Sequence, residues 1–317
     1  MDIAEAMSVG VKRVWPEAEV VMVPVADGGD GTLQALVDSS GGEVRTATVE
    51  DAIGRQIEAE WGALGNGTTA VIEMARAAGL ARLTPEERDV RNASTYGVGQ
   101  LFTAALNAGF SDFIIGVGGS ATNDGGAGMI QAMGGELSDG DGNELPRGAA
   151  ALADLSHIDI SGLDSRMASA NVVVACDVNN PLCGPQGASA IFGPQKGASP
   201  EDVQELDAAL ANYAEVIAKD LHTDVAEIPG AGASGGLGAG LMGFFGARLR
   251  LGADIVMDAL NINERLQDAE LVIVGEGQFD RSTVFNKSPV AVAQRAKANG
   301  TPVIGIAGSL GAGYTEV

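Results

Sequence analysis

Five short apolar runs, each closing on glycine or an acidic loop, constrain this chain more than any other feature: residues 20–25, 113–117, 172–175, 271–274 and 303–306. β-Branched runs of this length, without polar alternation, are those of strands buried on both faces. Helical patterns stand between many of them, over 93–108 before the second run and 290–299 before the last. Strand and helix in alternation predict βαβ crossovers and a parallel sheet.

A chain of 317 residues exceeds what one hydrophobic core organises, about 250–300 residues, so two domains are expected. Between residues 44 and 75 the texture changes to Thr-, Glu- and Trp-containing segments broken by Gly65-Asn66-Gly67. That is a hairpin pattern, and a second domain with a mixed sheet is expected to begin there. The chain is 45% hydrophobic but only 4% aromatic, as suits a sheet layered between closely packed small-residue helices. There is neither a fixed-period repeat nor a low-complexity tract, although residues 148–153 and 230–246 are rich in Ala and Gly. The latter has the composition of a glycine loop opening a packed helix.

The formal charge of −23 argues against nucleic acid and anionic membrane as partners, since the summed field repels both. An anionic substrate must then meet a locally positive site. The acidity itself has two readings, a saline habitat or ordinary bacterial acidity. Cys176 and Cys183 lack C-x-x-C spacing and a histidine cluster, so reduced structural thiols are expected. No apolar run approaches the ~20 residues that cross a bilayer, and the acidic start is unlike a signal peptide, which predicts a cytoplasmic protein.

Four segments carry chemistry. Val25-Ala26-Asp27-Gly28-Gly29-Asp30-Gly31-Thr32 joins an expected strand to an expected helix over 33–37, where open α/β sheets bind ligands. Asp27 or Asp30 could hold a metal or take a proton; a glycine turn with an aspartate cap is the plainer reading. Gly116-Val117-Gly118-Gly119-Ser120-Ala121-Thr122-Asn123-Asp124-Gly125-Gly126 is again strand, glycine loop and helix, a cradle for phosphate. It matches neither G-x-G-x-x-G nor G-x-x-x-x-G-K-[ST], so neither a dinucleotide fingerprint nor a P-loop is present.

The third segment runs from Cys176-Asp177 to Phe192-Gly193-Pro194-Gln195-Lys196-Gly197, pairing a strand-end carboxylate with a lysine that is either a point charge for an anion or a solvated turn residue. The fourth, Gly275-Glu276-Gly277-Gln278-Phe279-Asp280-Arg281-Ser282-Thr283 with Asn286-Lys287-Ser288-Pro289, crowds acids, bases and hydroxyls into one strand-to-helix connection. Phosphoryl transfer needs that mixture, a carboxylate for the attacking hydroxyl or Mg²⁺ and cations for the transferring group. His157 and His222 lie outside all four, so carboxylates must carry acid–base work. Asp139-Gly140-Asp141-Gly142-Asn143 lacks EF-hand spacing and is expected to be a surface turn.

These segments, in this order and with Gly305-Ile306-Ala307-Gly308-Ser309 after them, resemble the type-1 glycerate kinase family of bacteria over essentially the whole chain. The resemblance implies two α/β domains, one Rossmann- or flavodoxin-like and discontinuous (1–45 plus 265–317) and one with a mixed sheet (46–264), with the active site in the cleft between them. It implies phosphorylation of D-glycerate by ATP with Mg²⁺, the 2-hydroxyl favoured, with no nucleic acid or membrane partner and a homodimer as one expected assembly. A kinase of a related hydroxy acid such as tartronate or erythronate, or a non-catalytic sensor of nucleotide or acid, are the alternatives. Carried over residue by residue, Asp280, Lys287 and Glu276 are the catalytic candidates. Asp27, Arg55, Ser120, Thr122, Asn123, Asp124 and Lys196 are candidates for substrate, and Asp177 with Asp124 for metal. Family members usually open on a strand leading to a D-S-F-K-type loop, whereas this sequence opens in the following helix and stops at Val317. Without that loop an acid and a lysine near the cleft are expected to be missing, and with them full activity. Gln278-Phe279, Arg281-Ser282 and Asn286 also depart from the commoner residues at these places, which implies altered packing more than altered chemistry.

Overall fold

The computed structural model describes residues 2–23, 25, 31–284 and 288–316. The chain divides into two compact units, Met1–Ser40 with Leu251–Val317, and Gly41–Arg250. The first unit opens with α1 (Asp2–Val14) and α2 (Thr32–Ser40). The second then runs through β1 (Glu43–Glu50), β2 (Gln56–Ala63), β3 (Thr69–Glu73), α3 (Ala75–Ala78), α4 (Tyr96–Asn107), β4 (Asp112–Gly116), α5 (Ala127–Ala132), β5 (Glu136–Ser138) and β6 (His157–Asp159). It continues with β7 (Asn171–Ala175), α6 (Ala188–Phe192), α7 (Pro200–Leu221), α8 (Ala233–Phe245) and β8 (Arg248–Arg250). The chain returns to the first unit for α9 (Gly252–Ala259), α10 (Ile262–Gln267), β9 (Val272–Phe279), α11 (Ser288–Ala298) and β10 (Val303–Leu310).

In the second unit six strands form one sheet in the order β1-β2-β3-β4-β7-β8. β1, β2 and β3 pair antiparallel, and Leu64 to Gly67 closes the expected turn between β2 and β3. From β3 onward every pairing is parallel. The sheet is therefore mixed, and its parallel half carries the apolar runs of β4 and β7. α4 lays Val98, Leu101, Phe102, Ala105 and Leu106 inward at helical spacing, and Phe102 stands 4.9 Å from Phe113 of β4. α7 starts on a capping box of Ser199 and Asp202 and buries Leu206, Leu210, Tyr213 and Ile217. Burying side chains of this size stabilises by about 1.5–3 kcal/mol each.

In the first unit β9 and β10 pair parallel, with α11 between them in sequence. The ladder continues past Val274, setting Glu276 opposite Ala307 and Gln278 opposite Ser309. Gly275 to Phe279, expected as loop, is thus strand, because a neighbour offers backbone partners along its length. The run at 20–25 corrects another expectation: residues 20–23 and 25 form no strand, and Val21 is 59% exposed. β-Branched composition suits a strand only where a ladder partner exists, and none pairs with this run among the described residues. No described helix is long and apolar enough to cross a membrane.

Candidate active site

Parallel register levels four strand ends in the second unit. Glu73 lies opposite Gly116, Gly116 opposite Ala175, and Ala175 opposite Arg250. The loops after β3, β4 and β7 therefore leave the sheet along one edge, the carboxyl edge where open α/β sheets bind ligands. That edge brings together the glycine loop 117–126 and Asp177, which is exposed just beyond β7.

The glycine loop turns its polar side chains inward. Ser120, Thr122, Asn123 and Asp124 are all buried, and only Gly118 and Gly119 face solvent. Its carbonyls are held from behind: Gly116 O accepts from Met74 N, Gly119 O from Leu80 N and Asp124 O from Ala127 N. Side chains serve three more, with Ser234 Oγ donating to Val117 O, Lys196 Nζ to Thr122 O at 2.6 Å, and Tyr213 OH to Gly125 O at 3.1 Å. Buried carbonyls left without such donors would cost a lost hydrogen bond each. The Gly118 and Gly119 amides, by contrast, donate no hydrogen bond among the described residues. Gly119 sits at φ +70°, a left-handed conformation that glycine adopts without a Cβ penalty. What the loop shows a ligand is backbone.

Asp124 holds the far end of the loop. Its Oδ2 accepts from Thr95 N at 2.8 Å, Thr95 Oγ1 at 2.9 Å and Gly128 N at 3.3 Å, and its Oδ1 from Gly126 N at 3.3 Å. Burial pushes the Asp124 carboxyl up, and these four donors pull it back. Burial likewise pushes Lys196 down from 10.5 to about 7, opposed by the nearby Asp124 charge. Lys196 is 1% exposed, folded inward by the turn from Gly193 to Gly197, and so is not the solvated turn residue its sequence context allowed. Asn123 donates Nδ2 to Ser189 Oγ at 2.9 Å. Thr122 Oγ1 and Asn123 Oδ1 are buried without a hydrogen-bond partner.

Arg55, in the β1–β2 connection, donates Nε to the buried Asp51 at 2.6 Å and Nη1 to Glu87 at 2.7 Å. Both carboxylates hold its guanidinium above its ordinary value. In the first unit Asp280 follows β9. Its carboxylate accepts from Gln278 Nε2 at 3.1 Å, and its amide donates to Thr283 Oγ1 at 3.1 Å. Glu276 is half-buried within β9. Asp27 and Lys287 lie outside the described residues. Thr95, Ser189, Tyr213 and Ser234 escaped sequence reasoning: each comes from a distant helix or helix start, and only the glycine-rich stretch around Ser234 carried a local signal.

Parallel strands that end in a glycine loop offering backbone amides define an α/β protein built to hold an anionic ligand. The particular kind follows from comparison: the chain belongs to the glycerate kinase family, whose pattern matches residues 1–317. It is 51% identical over 309 residues to the glycerate 2-kinase of Escherichia coli (strain K12), covering 98% of this chain and 81% of that one. It is 48% identical over 317 residues to the glycerate kinase of Halalkalibacterium halodurans, covering 100% and 83%. The crystal structure of "putative glycerate kinase 2" from Salmonella typhimurium LT2 superposes with a TM-score of 0.92 at 47% identity, over 97% of this chain and 84% of that one.

Proposed function

We propose that this chain is a kinase that transfers the terminal phosphoryl group of ATP to the 2-hydroxyl of D-glycerate, in the cytoplasm. The observation that carries the reading is the 51% identity to a glycerate 2-kinase over 98% of the chain. The exposed Gly118 and Gly119 amides support it, because unpaired backbone donors at a strand end suit phosphate or carboxylate oxygens.

Asp280 orients the substrate hydroxyl and receives its proton, and Gln278 fixes the carboxylate while it does so. Glu276, two positions before Gln278 on β9, adds a second carboxylate to that strand. Thr122 and Asn123, both wholly buried, shape the loop from within rather than meet the substrate, and Ser120 lies beside the glycine amides. Arg55, with its cation already shared by two carboxylates, acts on the acid's carboxylate only if one of these pairs opens. Asp27 and Lys287 keep the roles the resemblance implies.

No three His, Cys, Asp or Glu side chains gather into a metal cage among the described residues. Mg²⁺ that arrives on nucleotide phosphates needs only one or two protein carboxylates. Asp177, exposed at the carboxyl edge, fits that need; Asp124, with four donors on its two oxygens, does not. When bound, Mg²⁺ neutralises charge on the phosphates.

ADP release with D-glycerate, tartronate and erythronate tests the choice of acid: D-glycerate should give the highest kcat/KM, and preference for another acid would replace it. Asp280→Asn should lower kcat by about 10²–10⁴-fold with D-glycerate, and full retention of turnover would remove Asp280 from its role.

A further inference from the structure

We propose that Lys196 is a positioning residue: from the protein interior its side chain fixes the Thr122 carbonyl, and so sets the glycine loop whose outer amides face the ligand. Four observations lead there. Lys196 Nζ donates to Thr122 O at 2.6 Å, and no backbone amide donates to that carbonyl among the described residues. On its other side the same peptide abuts Gly235, where even a methyl group would overlap the Thr122 oxygen. The Thr122 peptide is therefore clamped between the backbone of α8 and the lysine. Finally, Lys196 is almost wholly buried, so it meets no ligand from solvent as the structure stands.

A lysine is a costly choice for an interior donor, because taking an ammonium out of water is expensive unless it is paired. Burial weakens its hold on the proton, and Asp124 is the charged group that opposes this. A long side chain from the 193–197 turn nevertheless reaches a carbonyl 74 positions earlier in the chain. An alkyl side chain of similar size would fill the space and leave Thr122 O without a donor, and the loop would then relax to find one. Displacement of a binding loop by about 1 Å can cost about 10²-fold in rate.

The proposal rests on the kinase reading for its activity readout, and a second readout keeps the two separate. Lys196→Met and Lys196→Gln would be compared with the parent protein by hydrogen exchange and by turnover of ATP and D-glycerate, at a temperature where each variant is folded. For Lys196→Met, amide exchange in residues 117–128 should rise at least about tenfold while residues 43–63 keep their protection. Its kcat/KM should fall by about 10–100-fold, and Lys196→Gln, which keeps a donor, should lie between. Parental exchange in Lys196→Met, or a local rise with unchanged turnover, would overturn the proposal. So would faster exchange throughout the second unit or failure of both variants to fold, because the lysine would then support the unit as a whole. Absence of turnover in the parent protein would defeat the kinase reading instead, leaving the exchange comparison to decide whether Lys196 sets the loop.

Discussion

At the residue scale, the candidate site is a set of buried donors assembled behind a few glycines. Lys196 makes this measurable through pH. Its folded value of about 7 lies below the ordinary 10.5. Between these values the unfolded chain binds a proton that the folded chain has released. Stability therefore gains from this group as pH rises through the window, and loses as pH falls toward 7. Urea unfolding at about pH 7.5 and about pH 9.5 should show a more positive slope in the parent protein than in Lys196→Met; equal slopes would mean the ammonium is not desolvated. The residue types at the site were legible in the sequence, since Thr122, Asn123, Asp124 and Lys196 stand in conspicuous glycine loops. Which way they face was not. Inward orientation depends on Thr95, Ser189, Tyr213 and Ser234, contributed from far along the chain, and no local pattern announces such partners.

At the element scale, four of the apolar runs were legible as strand cores, but composition did not tell whether a run has a ladder partner or how far the ladder extends. The runs that became β4 and β7 sit in the interior of a six-stranded sheet, where continuous β-branched residues find cover on both faces. The run at 20–25 has the same composition and no ladder among the described residues, whereas β9 extends to Phe279 because β10 pairs with it that far. The start of α8 shows a tighter constraint, with Ser234, Gly235 and Gly236 all at positive φ against the glycine loop. Gly235→Ala should destabilise by about 2 kcal/mol or more in chemical unfolding, through overlap with Thr122 O and strain at φ +68°. Ser199→Ala, which removes one half of the α7 capping box, should cost about 1 kcal/mol and leave turnover unchanged.

At the scale of the whole molecule, two α/β units with a net charge of −23 carry an anionic reaction. Such self-repulsion is screened by salt, so raising ionic strength from near zero to ~0.15 M should raise the thermal midpoint, and a midpoint independent of salt would show the acids to be locally compensated. On the proposed reading, the Gly118 and Gly119 amides, which donate no hydrogen bond among the described residues, let an acidic protein offer an anion a favourable contact. Phosphorylation of D-glycerate on its 2-hydroxyl is read out by ³¹P NMR of the product formed from ATP and D-glycerate. The product's phosphate resonance should be split by the single proton on C2, with ADP formed in equal amount; a resonance split by the two protons on C3, or no new phosphomonoester, would rule out transfer to the 2-hydroxyl.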